Sequence, residues 1–236
     1  MQGVQKAARL AGILYLPVVL IGPFVLMYVP GKIYVSGDAS ATAGNILAHE
    51  TLFRANIVLG MVSQLFFVAA VLALYQLLRD VGRRLAGLMV ILILLVAPLA
   101  IAGASTEVAT LKLLNDPRFF SGFDEPQRNA IIMLLLEFDR NGILAAELYW
   151  GLWLLPLGLL VYRSRFLPRA LGIWLLANGI AYVLMSFVGI LWPQHSGSLF
   201  KFATPLLFGE AALVLWLIVV GAKVRRPQPA RFQASE

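Results

Sequence analysis

LFRANIVLGMVSQLFFVAAVLALYQLL, residues 52–78, is the stretch that decides the fold. Past Arg54 and Asn56 it reaches Leu78 without another charged side chain. At about 1.5 Å per helical residue, it is long enough to cross the roughly 30 Å of hydrocarbon in a bilayer. It lacks the strict apolar–polar alternation of a membrane barrel strand. A helix, which satisfies its backbone groups internally, is therefore the form such a segment takes in lipid.

Working outward, five more segments have this character: 8–29, 85–111, 143–162, 167–191 and 202–220. Composition agrees, with 60% hydrophobic and 13% charged residues and a mean hydropathy of +0.84. A soluble domain carries about twice that share of charge. The expected fold is an all-α, polytopic membrane helical bundle of six transmembrane helices, one domain over 1–222. The Pro-rich, basic stretch 223–236 is expected to be a disordered cytoplasmic tail. The first apolar run contains Pro17 and Pro23 and ends without an Ala-x-Ala site, so it is read as a span and not a cleaved leader. With no cysteine, disulfides, thiolate metal sites and cysteine nucleophiles are excluded.

Charge sets the orientation. Lys6, Arg9, Arg79, Arg83, Arg84, Arg163, Arg165, Arg169 and the tail hold twelve of the nineteen basic residues on one side, with only Asp80 and Glu236 among the acids. Basic loops stay cytoplasmic, so both termini are expected inside and the connections near 30–51, 112–142 and 192–201 outside. Retention of basic loops and attraction to anionic lipid account for the pI near 10. No aromatic-interleaved basic module suggests nucleic acid.

The first, third and fifth segments open alike, at Arg9-Leu-Ala-Gly12, Arg84-Leu-Ala-Gly87 and Arg169-Ala-Leu-Gly172. Each glycine would let a neighbouring helix approach closely, which suggests three related helical hairpins. Any cytoplasmic helix start favours such residues, so simple convergence explains the pattern equally well. Pro17, Pro23, Pro98, Pro156 and Pro205 lie within segments and favour kinks.

Two outer connections carry local signals. In the first, Asp38, Ser40 or Thr42 is placed to cap a helix that nothing interrupts from about Ala41 to Leu78, with Glu50 and Arg54 as an i,i+4 pair. The connection NDPRFFSGFDEPQRNAIIMLLLEFDRNG mixes Phe119, Phe120 and Phe123 with charges. It is read either as an interfacial helix capping the bundle or as a fourth span that projects from the membrane.

The functional question lies in a polar layer: Arg54 and Asn56 on the second segment, Glu107 on the third, Glu147 on the fourth and Glu210 on the sixth. Glu147 lies sixteen positions from Arg163, roughly 24 Å along a helix, which places it in the outer half of the hydrocarbon. An ionisable group there costs at least ~2.5 kcal/mol on insertion scales, so it should face inward and find a partner. Arg54 is the expected counter-charge, Asn178 a hydrogen-bonding neighbour, and Asn45, His49, Asn56, Gly60 and Ser63 form one inward stripe.

Three functions fit: binding or passage of a small molecule, ion or lipid at a polar pocket; a carboxylate-dependent enzyme, or a metal-dependent one using His49 and His195; or a non-catalytic scaffold whose polar layer fixes helix register. Membrane lipid is an expected partner in all three. His49 and His195 are the histidines available to a zinc site, and no His-Glu-x-x-His pair is present, so neither metal nor cofactor is expected. No nucleophile elbow, phosphate-binding loop or dinucleotide fingerprint occurs, and no catalytic residue is assigned.

The stretches Ala8-Arg-Leu-Ala-Gly-Ile-Leu-Tyr-Leu, Ser36-Gly-Asp-Ala-Ser-Ala-Thr-Ala-Gly-Asn-Ile and Leu52-Phe-Arg54, followed by Leu74-Tyr75-x-Leu-Leu, resemble the bacterial membrane family called domain of unknown function 4386. The resemblance covers nearly the whole chain. It implies a multi-spanning bacterial inner-membrane protein with no assigned activity, in which Gly37, Asp38, Thr42, Asn45 and Arg54 share a motif. No catalytic residue carries over.

Overall fold

The computed structural model describes residues 2–116 and 121–222, and within these it is helical without strands. The elements are α1 (Gln2–Pro23), a π-helical turn (Phe24–Tyr28), α2 (Val29–Ile33), α3 (Ala39–Ala48), α4 (Glu50–Leu94), α5 (Val96–Asn115), α6 (Glu125–Arg163), α7 (Arg169–Leu191), a 3-10 turn (Pro193–His195) and α8 (Ser196–Val219). Phe119, Phe120 and the tail 223–236 lie outside the described residues.

Among the described residues, five helical runs are long and apolar enough to cross a membrane, and the largest, Glu50–Asn115, spans 66 residues. That run contains both segments 52–78 and 85–111. Gly82 interrupts it with extended backbone (φ −172°, ψ 90°), between the Arg79 and Arg83–Arg84 charges.

Packing links α1, α4, α6, α7 and α8 into a closed ring, each touching the next, while α5 lies against α4 and α6. The ring encloses a core of Tyr15, Phe67, Leu74, Met89, Trp153, Leu157, Leu175 and Leu213. A second, smaller core of Val29, Ile33, Ile46, Phe53, Leu111 and Ile132 joins α2, α3 and the beginnings of α4 and α6 to the end of α5.

The α6–α7 contact is the tightest. Added Cβ atoms would lie 2.5 Å from the Gly179 carbonyl at Gly151, 2.9 Å from the Gly172 carbonyl at Gly158, and 2.6 Å from the Tyr162 nitrogen at Gly172. Two glycines seven residues apart on each helix thus bring the backbones together, as small residues do in membrane bundles. Gly12 does the same for α1 on α8, where a Cβ would sit 2.9 Å from Leu217. Gly87 meets nothing within 4 Å, so the three Arg-x-x-Gly starts are not used alike.

Three expectations need correction. The helix predicted from Ala41 to Leu78 breaks at His49 (φ −124°, ψ 36°), which ends α3 and starts α4. The proposed stripe from Asn45 to Ser63 is therefore split between two helices. The acidic-aromatic connection does not form a separate cap from Glu125 onward: Asp124 and Gln127 make a reciprocal capping box, and α6 continues unbroken for 39 residues. Pro126 stands in its first turn, where a missing N–H costs nothing.

At the opposite end, Gln5 clasps the chain shut. Its Nε2 donates to the Val220 carbonyl and its Oε1 accepts from the Ala222 amide, both at 2.9 Å. Gly221 adopts positive φ (70°) to allow the turn.

Candidate functional site

The Gly37–Asn45 stretch forms the turn and cap that join α2 to α3. Gly37 takes φ 78°, which reverses the chain after α2. Asp38 then caps α3, accepting from the Ala41 amide at 2.8 Å, and the Thr42 hydroxyl accepts from the Val35 amide at 3.0 Å. Asn45 reaches back to the Ile33 carbonyl at 3.1 Å, so α2 and α3 are tied by their own side chains. Asn129 on α6 adds a bond to Ser40 at 3.2 Å. Losing the cap in Asp38→Ala is expected to cost about 1 kcal/mol, read as a lower unfolding midpoint in detergent with the helical spectrum retained.

Arg54 does not serve as counter-charge to the deep acids. It is exposed and bound to Glu50, Nε to Oε1 at 2.7 Å, the i,i+4 pair the spacing suggested. His49 is also exposed, its Nδ1 standing 3.1 Å from the Asn45 carbonyl, and His195 lies exposed in the 3-10 turn. Neither histidine joins the acids. Among the described residues no three His, Cys, Asp or Glu side chains gather as a metal set.

The remaining polar residues divide into two clusters instead of forming one layer. In the first, Asn56 on α4 donates to Glu107 on α5 at 2.8 Å, and Asp139 on α6 lies within electrostatic reach of Glu107. The physical reason for the division is α5, which carries Glu107 against α4 and α6 and away from the enclosed face of α8.

The second cluster sits within the ring. Glu210 on α8 accepts a hydrogen bond from the Tyr15 hydroxyl of α1 and a longer one, 3.5 Å, from the Asn178 amide of α7. Close approach makes this possible. Gly12 lies one turn before Tyr15 on the α1–α8 contact, and a Cβ on Gly209 would stand 3.1 Å from Trp174 and 3.5 Å from Asn178. Tyr15 is fully buried, stacked on Phe67 with ring centres 5.7 Å apart, and Trp153 meets both rings edge-on. Tyr182 on α7 lies within electrostatic reach of both Glu210 and Glu147 and packs edge-on against Trp150, one turn from Glu147.

Two acceptors in this region are buried with no hydrogen-bond partner among the described residues: Glu147 Oε2 and Asn178 Oδ1. The arrangement can therefore accept donors or positive charge that the chain itself does not supply. Sequence reasoning missed Tyr15, Tyr182 and Asp139. Tyr15 follows Gly12 at i+3, and that spacing was the available signal; a buried tyrosine needs a partner for its hydroxyl.

Long apolar helices with polar side chains buried between them point to a multi-pass integral membrane protein. Over residues 10–221 the chain matches the family described as domain of unknown function (DUF4386), and it belongs to that family. It is also similar to an uncharacterized protein of the archaeon Archaeoglobus fulgidus, 27% identical over 77 residues, which cover 33% of this chain and 44% of that protein. The chain thus matches less than half of that relative's length. No solved structure matches.

Proposed function

We propose that the protein crosses a bacterial inner membrane six times with both termini cytoplasmic, and binds or passes a proton or a small cationic solute at the Glu147–Glu210 cluster. Two observations support the six crossings. Gly82 divides the Glu50–Asn115 run at its most basic point, and Gln5 meets Val220 and Ala222. A chain whose first and last spans share an end crosses an even number of times. The basic residues near that end favour the cytoplasmic side.

The functional reading is carried by the orphaned acceptors. Asn178 Oδ1 belongs to the amide that bonds Glu210, Glu147 Oε2 is buried on α6 with Tyr182 in electrostatic reach of both acids, and the Lys and Arg ion pairs of the described residues lie elsewhere. A buried acceptor without a donor costs about 1–3 kcal/mol. A carboxylate in lipid is costly unless partnered, and such residues commonly mark ion or proton routes. An entering cation or proton relieves both costs.

The test is uptake into proteoliposomes holding the full chain, with protons, alkali cations and small ammonium compounds offered in turn. At least one should enter faster than into empty vesicles. Glu147→Gln and Glu210→Gln should each slow that uptake by about tenfold or more while the variants stay folded, with the helical spectrum of the wild type. Uptake at the empty-vesicle level for all solutes, or wild-type rates in both variants, would sink the reading.

A further inference from the structure

The cluster outside the ring has a chemistry of its own. The Asp139 carboxylate lies against Gly103 of α5, in space that any Cβ there would occupy. Gly103 is one turn before Glu107, so the missing side chain lets a second carboxylate come within electrostatic reach of the first. The neighbouring cations are engaged elsewhere: Arg54 holds Glu50, and Arg140 holds Glu137 at 2.7 Å. The neighbouring hydroxyls are committed too, since Ser105, Thr106 and Thr110 donate to the Ile101, Gly103 and Thr106 carbonyls.

Asn56 supplies the independent observation. It is 6% exposed, its Nδ2 is fixed on Glu107 Oε1, and its Oδ1 is buried with no partner among the described residues. With the nitrogen committed to Glu107, the oxygen is the atom of this amide left for a ligand to satisfy. Two acids and one orphaned carboxamide oxygen make an oxygen-only donor set with a formal charge of minus two. Such sets select hard cations over zinc or copper, and the charge is matched by a divalent ion.

We propose that Glu107, Asp139 and Asn56 bind a hard divalent cation of the calcium or magnesium kind between α4, α5 and α6. The site is separate from the Glu147–Glu210 cluster and does not depend on the function proposed there. Gly103 is its positioning residue, because it seats Asp139 against α5.

The full chain in lipid nanodiscs, titrated calorimetrically with CaCl2 and separately with MgCl2, tests this. Saturable binding of either ion is expected. Glu107→Gln and Asp139→Asn should each weaken it by at least about tenfold, the lower range even for groups that only orient a metal ligand. Gly103→Ala keeps every donor yet displaces Asp139, and should weaken binding as well; it also decides the matter if Glu107→Gln fails to fold. Asp80→Asn, which changes an exposed acid beside Arg79 outside both clusters, should bind the ion as wild type does. The proposal is overturned if folded wild-type protein gives no saturable binding up to about 10 mM, above the range of the weakest calcium sites. Wild-type affinity in both Glu107→Gln and Asp139→Asn would overturn it equally.

Discussion

Gly172→Val is expected to separate α6 from α7 and destabilise the protein by about 3 kcal/mol, the upper range for overpacking a closed contact. The atoms a Cβ would meet are backbone, Tyr162 nitrogen at 2.6 Å and Gly158 oxygen at 2.7 Å, and backbone cannot rotate aside as a side chain can. Relief requires the helices to move apart, which also loosens the Gly151–Gly179 contact seven residues along. Asn178 rides on α7, so its position beside Glu210 is lost with the contact. Unfolding in a graded denaturing detergent measures the effect. Gly87→Ala is the matched comparison, since its Cβ meets nothing, and it should be neutral or stabilising by about 0.5 kcal/mol through helix propensity. Equal midpoints for Gly172→Val and wild type would mean that the helices do not touch there.

Tyr15→Phe should cost about 2 kcal/mol, the range for a hydrogen bond to a charged group. The ring and its packing on Phe67 and Trp153 are kept, so the change isolates the hydroxyl. Among the described residues Glu210 then retains the 3.5 Å bond from Asn178. A double-mutant cycle with Glu210→Gln checks the assignment, because residues in direct contact couple and distant ones add. The double variant should be destabilised by less than the two single effects together; strict additivity would mean that the hydroxyl and the carboxylate do not meet.

Much of the fold was legible because lipid imposes a simple demand. Uninterrupted apolar runs marked the helices, and the charges around Arg79–Arg84 marked the break that the structure places at Gly82. The break at His49 was hidden, since no Pro or Gly announces it and its dihedral angles are set by how α2, α3 and α4 meet. The acids Glu107, Glu147 and Glu210 were identifiable by the cost of placing them in an apolar run. Their grouping was not, because depth along a helix can be counted from sequence while angular position around a bundle depends on which helices touch. Arg54 illustrates the difference: Glu50, four residues away, bound it before any distant partner could.

The Gln5 clasp has a consequence for how the chain is made. Its partners, Val220 and Ala222, follow α8, so α1 must wait until the helices from α2 to α8 have been made. The ring can close only then. Until α8 arrives Tyr15 faces an incomplete bundle without Glu210, and the polar cluster comes into being only when the first and last described helices meet.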